Sequence, residues 1–456
     1  MASSGATLNV EQQIDQQPMG GYQMWVVFLG GLILFIDGLD VQLVSYIGPK
    51  ILKEWAISRT LLGTIFSSMI WGLLIGFAFV APLSIRFGHR PLILWNMVLF
   101  SLATMACYYV NDPTTMIALR VIAGIGLAGV IPSGVALTGE YGPKRVRSTC
   151  IALIYCGYSF GTMAAGLIAG QIIEQYGWRV HMVVGGLIPM AIAAFLFFTL
   201  PESPEFLISR GAPRELIAAL VRRIAPAARI DANTVFIVND KREGAMAVAQ
   251  LFTNGRALGT LMLWLALFMN LMVIFFVLQW LPSIFTMVGY TQAEATVAAT
   301  WATSGGILAA LVLGPLMDRF GPYRVIMALF MLGGAFLFFT GLGARSVAWV
   351  ATFMAFVATG SVSGIQKCIN ALMIFFYPTA LRSTGLGWAF GVGRFGAMIG
   401  PVLAGFLFDR KWAVEQVFDV YAIPMIIGGL AILVMYLAYR ETAATRQPVP
   451  APAAAE

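Results

Sequence analysis

Charged residues are scarce in this 456-residue sequence: they make up 11% of it, whereas hydrophobic residues make up 59%. A soluble domain carries about 25% charged residues, so too few are present here to coat a water-facing surface. Apolar stretches recur along nearly the whole chain, each close to the roughly 20 residues that a membrane-spanning helix needs. The scarcity of charge therefore excludes a soluble protein and predicts an integral membrane protein.

The residues of metal, redox and nucleophilic chemistry are also sparse. The sequence has two histidines and no HExxH motif, and its four cysteines (Cys107, Cys150, Cys156 and Cys368) lie in apolar stretches without CxxC spacing. It has no Walker-type glycine-rich loop either, which removes ATP as the expected energy source. We therefore expect no enzymatic activity, no metal site and no cofactor, and a proton gradient as the energy source.

The positive charge is spread over short turns and does not form a basic domain. The net charge is +7, but no basic patch with interleaved aromatic residues is present, so nucleic acid is not an expected partner. With the N-terminus inside, 18 Lys and Arg fall in cytoplasmic segments, three fall inside spans, and seven fall outside: Lys50, Lys53, Arg59, Arg179, Arg345, Arg410 and Lys411. This bias predicts that both termini are cytoplasmic. The polar N-terminus has no signal-peptide pattern.

Twelve apolar spans are predicted, at residues 22–47, 61–85, 91–110, 115–139, 149–173, 180–200, 257–288, 293–317, 324–343, 347–376, 384–408 and 417–439. Backbone groups in lipid must form their hydrogen bonds within their own segment, so we expect these spans to be helices. The weak alternating pattern of a membrane barrel is absent. The predicted fold class is thus an all-α membrane protein.

A polar stretch at 201–256 separates the sixth span from the seventh. Its apolar residues recur at helical spacing, which predicts a short amphipathic helix on the inner membrane surface; they are Leu216, Ile217, Leu220, Val221 and Ile224. We therefore expect bundles of six helices at 22–200 and 257–440, joined by a cytoplasmic linker at 201–256. The segments 1–21 and 441–456 are expected to be cytoplasmic tails.

The two predicted bundles repeat one another. Residues 81–88 (APLSIRFG) match residues 314–321 (GPLMDRFG) at an offset of 233, and Pro143 with Arg147 matches Pro378 with Arg382 at an offset of 235. Two separate loops that repeat at nearly one spacing indicate a duplication. Parallel six-helix halves around a central cavity are a recurrent plan of transporters.

The repeated loops resemble those of the major facilitator superfamily. The loop after the second helix in that family reads roughly G-x-L-x-D-R-x-G-R-R, and the fourth helix reads R-x-x-x-G-x-G, which Arg120, Gly124 and Gly126 match. Ile85 stands where the family has an acid that helps lock the halves together. The resemblance implies twelve helices in two pseudo-symmetric bundles, with a gating role for loop residues Arg86, Gly88, Arg90, Arg147, Asp318, Arg319 and Arg382.

A narrower resemblance concerns the first and eleventh helices. Asp37-Gly-Leu-Asp40 is similar to the D-G-x-D signature of the aromatic acid:proton symporter family, and residues 377–388 (YPTALRSTGLGW) with Gly391–Arg394 are also very like that family. The resemblance implies import of an aromatic carboxylate with protons. Lys367 and Cys368 depart from the family, in which small residues are usual at these two positions.

Ionisable residues inside the spans are the candidates for proton coupling. At mid-bilayer each costs at least about 2.5–3.5 kcal/mol, so each needs a function or a partner. Asp37 and Asp40 are three residues apart and share a helix face, where they can titrate as a unit. Arg120 can offset this pair and change partners, and Glu140 is assigned to the same process. The alternatives are an aspartate that pins a kink at a glycine, and a static ion pair that serves helix packing.

Substrate recognition is assigned to Arg394 and to polar and aromatic residues around it. A guanidinium matches a carboxylate with two parallel hydrogen bonds. Lys367 is a candidate for a second anionic group of the substrate, or it extends towards the membrane surface instead. The remaining candidates are Gln366, Asn370, Asn270, Tyr155, Tyr158, Trp280 and Trp388. Core packing is the alternative for each aromatic residue.

The leading hypothesis is a monomeric transporter in the bacterial cytoplasmic membrane that imports a hydroxybenzoate-like acid with protons by alternating access. Its expected partners are the acid, protons and the lipid bilayer. The alternatives are a symporter of another small organic anion, such as a muconate-like or nicotinate-like acid, and a transporter-like sensor without flux.

Overall fold

Fifteen helices and two short strands form the described part of the chain, which in this computed structural model comprises residues 7–226, 230–231, 234–238, 248–343, 348–378 and 381–444. The first part contains β1 (Thr7–Asn9), α1 (Val10–Gln16), α2 (Gly21–Trp55), α3 (Arg59–Phe79), α4 (Ser84–Phe87), α5 (His89–Ala106), α6 (Pro113–Tyr141) and α7 (Arg147–Thr199). The middle contains α8 (Pro204–Ser209), α9 (Arg214–Ile224) and β2 (Val235–Ile237). The last part contains α10 (Ala257–Met287), α11 (Gln292–Phe320), α12 (Pro322–Gly343), α13 (Ala348–Phe376), α14 (Arg382–Asp409) and α15 (Val414–Ala444).

The long helices account for twelve membrane crossings. Ten helices in the described residues are long and apolar enough to cross a membrane, and α11 is an eleventh of similar length. Helix α7 has 53 residues and would be roughly 80 Å long at 1.5 Å per residue, about twice what one crossing needs. Its backbone leaves helical geometry at Gly177 (φ 84°). The predicted spans 149–173 and 180–200 are therefore two helical segments of α7 that meet at this kink.

The helices pack as two bundles. In the first, α2 packs on α7 and α3 on α6; in the second, α10 packs on α14 and α11 on α13. The bundles meet where α3 faces α14, α7 faces α11 and α2 faces α10. We call the end at which α2 begins the tail side, because the described N-terminal segment lies there, and the end at which α2 finishes the far side.

Hydrogen bonds join the two bundles near the far side. The Tyr46 hydroxyl lies 3.2 Å from Thr300 Oγ1, and the Ser67 hydroxyl donates to the Met398 carbonyl at 2.8 Å. Gly63 lets the backbones approach closely, since a Cβ built there would lie 3.0 Å from the Cα of Val402. Further bonds run from Gln279 to the Phe66 carbonyl, from Gln292 to the Tyr46 carbonyl, and from Arg59 and Thr60 to Asp409. The far side of the molecule is therefore closed.

The predicted amphipathic helix is present, and much of its apolar face is buried in the protein. Helix α9 spans Arg214–Ile224, and its buried Ile217 and Val221 belong to the apolar cluster of the first bundle, where α9 contacts α8 and α2. The N-terminal segment meets the connecting segment through the parallel strands β1 and β2. The position of α9 on the inner membrane surface stays a prediction, whereas the N-terminal segment, expected to be a plain tail, forms β1 and α1. Residues 445–456 of the other expected tail lie outside the described residues.

Candidate functional site

An ion pair between α2 and α6 is buried inside the first bundle. Arg120 donates to both carboxylate oxygens of Asp40, from Nη1 at 2.8 Å and from Nη2 at 2.6 Å. The side chains are 2% and 0% exposed, and Nη2 also lies 3.0 Å from Met69 Sδ. This two-pronged geometry is the strong form of a carboxylate–guanidinium contact. Asp40 and Arg120 therefore neutralise one another in this conformation.

Asp37 lies one helical turn before Asp40 and has a different environment. Its side chain is half-buried, and it makes no hydrogen bond or ion pair with any residue that the structure describes. Gly38 brings α2 against α7, since a Cβ there would lie 3.0 Å from the Cα of Tyr158. The charge of Asp37 is therefore held beside α7 without a direct partner.

Arg394 approaches the same place from the opposite bundle. It extends from α14, and its guanidinium carbon lies 5.9 Å from the centre of the Phe77 ring on α3. Arg394 and Asp37 interact electrostatically with one another. Both also interact electrostatically with the hydroxyls of Tyr155 and Tyr158. We call these four residues the central group. They bring one acid, one base and two phenols together across the boundary between the bundles.

A narrow cavity continues from the central group towards the far side. Its lining includes Arg394, Arg120, Met69, Ser45 and Gln279. The volume open to the centre of a water molecule is about 10 Å³, which is room for roughly one water molecule. An aromatic acid cannot pass through it in this conformation.

The polar stripe of α13 lies beside the neighbouring helix α11. Lys367 Nζ donates to the Gly306 carbonyl at 2.6 Å, and the thiol of Cys156 on α7 is among the titratable groups that act on its charge. Lys367 is half-buried, as are Gln366 and Asn370, and the buried Oδ1 of Asn370 has no hydrogen-bond partner among the described residues. Lys367 is therefore held against α11 of its own bundle and does not extend to a membrane surface.

Three predicted binding residues lie in other surroundings. Trp280 is fully buried and donates from Nε1 to the Pro401 carbonyl at 2.9 Å, so it packs α10 against α14. Trp388 is 48% exposed and stacks on Trp264 with the ring centres 6.2 Å apart. Asn270 on α10 is fully buried, and neither atom of its amide has a partner among the described residues. No hydrogen bond or ring contact of the described residues joins these three to the central group.

Glu140, assigned to proton coupling, lies at the tail-side end of α6. It accepts a hydrogen bond from the Ser203 hydroxyl and lies 3.7 Å from His89 Nε2. Arg147, assigned to gating, forms no ion pair with Glu140 in the described residues, and its charge acts on Glu205 and on Asp15. The Glu140 carboxylate is thus bound by Ser203 of the segment that connects the two bundles. The sequence did not indicate this partner.

The predicted gating loops stay within their own bundles in this conformation. Arg90 donates to the Phe197 carbonyl at 2.6 Å, and Arg382 donates to the Tyr377 carbonyl at 3.2 Å. Gly88 has a positive φ of 92°, which suits glycine at this sharp turn. Arg86 and Arg319 are exposed over Phe87 and Phe320, and the side chain of Asp318 lies outside the described residues.

Several residues that complete the site were not among those predicted from the sequence. Phe77 lies under Arg394, Met69 contacts Arg120, and Gln279 crosses the boundary between the bundles. Gln279 carried a signal, because it is a polar residue in the middle of a very apolar span. Phe77 and Met69 carried none, since apolar residues fill membrane helices for packing alone.

Comparisons with known proteins agree with this architecture. The sequence model described as Major Facilitator Superfamily matches residues 30–307 and 263–455. The chain is similar to the 4-hydroxybenzoate transporter PcaK of Pseudomonas putida (33% identity; 95% of this chain, 96% of that protein) and to a gallate transporter of the same species (34%; 94% and 95%). A structure of the Escherichia coli xylose transporter XylE, in a partially occluded inward open conformation, superposes with a TM-score of 0.71 at 17% identity, covering 92% of this chain and 98% of that one.

Proposed function

We propose that this chain, which belongs to the major facilitator superfamily and within it to the aromatic acid:proton symporter family, imports an aromatic carboxylate together with protons. The protein is a membrane transporter and not an enzyme. Several similar proteins are named as transporters of 4-hydroxybenzoate, gallate or benzoate, which supports this substrate class. The proposal places it in a bacterial cytoplasmic membrane as a monomer, with the tail side in the cytoplasm.

One observation carries the proposal: Asp37 and Arg394 come from opposite bundles, their charges act on one another, and they do not form an ion pair within 4.0 Å in the described residues. Asp40 is held by Arg120, so Asp37 is the carboxylate left free to take up a proton. Acidic residues inside membrane spans commonly serve as proton relays. In this scheme Asp37 carries the coupled proton, and Asp40 stays ionised beside Arg120.

Arg394 is proposed to bind the substrate carboxylate. A guanidinium presents two parallel N–H donors to a carboxylate, and Asp37 competes for the same positive charge while it is ionised. Protonation of Asp37 removes this competitor and leaves Arg394 to the substrate. Tyr155 and Tyr158 lie close enough to act on both charges and offer ring faces to an aromatic acid.

Alternating access follows from where the bundles are joined. The hydrogen bonds between the bundles lie near the far side, and the gating loops of the tail side bond within their own bundles. With the tail side in the cytoplasm, this conformation is closed to the outside. Import then requires that the far-side contacts open while contacts form between the loops on the tail side.

A second candidate substrate is a dicarboxylate, which the position of Lys367 favours. Once Asp37 is protonated, the charges of Arg394 and Lys367 remain, because Asp40 and Arg120 cancel. A monoanion leaves one positive charge unbalanced in the membrane, whereas a dianion neutralises both. If this candidate is correct, Lys367→Met should reduce uptake of dicarboxylates more than uptake of benzoate-type acids.

The deciding experiment is uptake of radiolabelled benzoate-type acids into proteoliposomes, with and without an imposed pH gradient. We expect accumulation that depends on the gradient, and its loss in Asp37→Asn with substrate exchange retained. Gradient-driven accumulation by Asp37→Asn would remove this residue from the coupling scheme. Binding without any accumulation by the unmodified protein would instead indicate a sensor.

A further inference from the structure

A second cavity opens on the far side, above the closed contacts between the bundles. Its volume is about 570 Å³, which falls within the range of roughly 300–1,000 Å³ that is usual for small-molecule sites. The ends of α2, α10 and α14 and the starts of α3 and α11 surround it, so both bundles contribute. We call this cavity the outer vestibule.

The outer vestibule carries an excess of positive charge. Lys50, Lys53 and Arg59 line it together with one acid, Asp409. The Asp409 carboxylate already accepts hydrogen bonds from the backbone N–H groups of Arg59 and Thr60. The neighbouring Glu54 lies between Trp178 Nε1 at 2.6 Å and Arg179 Nη1 at 2.7 Å. The two lysines are exposed and are left to attract an anion.

The wall and the floor of the vestibule suit an aromatic acid. Ile57, Met287 and Tyr290 supply apolar and aromatic surface beside the lysines. Ser283 also lines the cavity; it is 1% exposed, and its hydroxyl has no hydrogen-bond partner among the described residues. Burying a hydroxyl without a hydrogen-bond partner costs free energy, and a hydrogen bond to a bound polar group recovers that cost. The vestibule thus offers an apolar wall, two ammonium groups and an unsatisfied hydroxyl.

The sequence gives an independent reason to look for a function here. Lysine and arginine normally concentrate on the cytoplasmic side of membrane proteins. Lys50, Lys53 and Arg59 are three of the seven that fall on the other side in the expected orientation. Basic residues that oppose the orientation bias and gather around one cavity need an explanation other than topology.

We propose that the outer vestibule is an entry site, where the carboxylate anion docks on Lys50 and Lys53 before the far side opens. This rests on the proposed function and orientation. The ring of the acid lies against Ile57, Met287 and Tyr290, and a polar group reaches Ser283. A positively charged mouth concentrates anions and raises their rate of association, an effect that weakens as ionic strength rises.

The test is the double variant Lys50→Gln/Lys53→Gln, assayed in both directions of transport. We expect the external KM for the acid to rise about 3- to 10-fold at low salt, which is at or below the lower end of the range for electrostatic steering, and by less at high salt. Maximal uptake and the internal KM for efflux should not change, because the vestibule faces one side only. The charge-preserving Lys50→Arg/Lys53→Arg variant should keep the normal external KM.

Arg410→Gln/Lys411→Gln is the matched control, since it also removes two positive charges from the same side but outside the vestibule. An unchanged external KM in the Lys50→Gln/Lys53→Gln variant would overturn the entry site, as would an equal rise in the control or equal changes in both directions. These outcomes differ from failure of the proposed function, in which the unmodified protein would not transport aromatic acids at all.

Discussion

The contact of Asp409 with α3 yields the sharpest prediction about gating. Asp409 ends α14 in the second bundle, and its carboxylate accepts from the backbone N–H groups of Arg59 and Thr60, each at 2.8 Å, and from the Thr60 hydroxyl at 2.5 Å. An acid from one bundle therefore caps a helix of the other. Opening the far side must break this cap.

The size of the effect follows from the chemistry of helix caps. Replacing a capping residue by alanine costs about 0.5–2 kcal/mol, and a negative charge at a helix N-terminus adds about 0.3–1 kcal/mol. Asp409 is exposed, and Ser58 also caps α3 by accepting from the Leu61 N–H, so we take about 1–2 kcal/mol for Asp409→Ala. This corresponds to a shift of about 5- to 30-fold towards the state that is open on the far side.

Maleimide labelling from the far side measures this shift. Val44 lines the narrow cavity and is 4% exposed, so Val44→Cys should react only when the far side opens. Cys156 is partly exposed and is replaced by serine so that it does not react with the maleimide; the other three native cysteines are buried. We expect Asp409→Ala to raise the labelling rate about 5- to 30-fold, in proportion to the population of the open state.

Asp112→Ala is the matched control for this experiment. Asp112 caps α6 by accepting from the Thr115 N–H at 2.8 Å, but both residues belong to the first bundle. Removing this cap should weaken α6 without changing the labelling rate. If Asp409→Ala left the rate unchanged, or if both variants raised it equally, the cap between the bundles would have no part in gating.

Three further predictions concern the ion pair, the carboxylate contact and the N-terminal segment. Arg120→Leu should destabilise the protein by about 3–5 kcal/mol, because it strands the buried charge of Asp40; Arg120→Leu/Asp40→Leu should recover thermal stability in detergent but not transport. Arg394→Ala should weaken binding of an aromatic acid far more than binding of its neutral amide, measured by calorimetry; equal losses would exclude a carboxylate contact. Burial opposes the charge of Asp15, but the backbone N–H and ammonium of Lys144 outweigh burial and hold the pKa of Asp15 below its ordinary 3.8. Because the pKa is lowered in the folded state, docking of α1 should be at full strength above pH 3.8 and weaken as pH falls below it. Hydrogen exchange of residues 10–16 measures this docking, and an unchanged rate in Asp15→Asn at neutral pH would contradict it.

Much of the fold could be predicted from the sequence because lipid restricts the choices. A long apolar segment must be a helix when no water can satisfy its backbone, so the spans followed from composition alone. The repeated loops at 81–88 and 314–321 indicated two halves. The break at Gly177 and the pairing of β1 with β2 could not be predicted, because both depend on what packs against them.

The charged residues of the candidate site could be predicted from the sequence, but their contacts could not. Asp37, Asp40, Arg120 and Arg394 stood out because charge in an apolar span is expensive and needs a reason. The sequence could not tell which aspartate was engaged, since one turn of helix separates a carboxylate bound by Arg120 from one without a direct partner. It also could not separate Tyr158, a member of the central group, from Trp280, which packs between α10 and α14.

The sequence by itself determined that this chain crosses the membrane about twelve times, is built from two related halves and holds a few charges deep in an apolar environment. These features depend on local composition and on repetition along the chain. The tertiary structure alone decided the partners of those charges, the side on which the bundles are joined and the gathering of Lys50, Lys53 and Arg59 around one cavity. The physical reason is that hydropathy acts on each residue separately, whereas charge pairing and gating depend on distances between residues far apart in the chain.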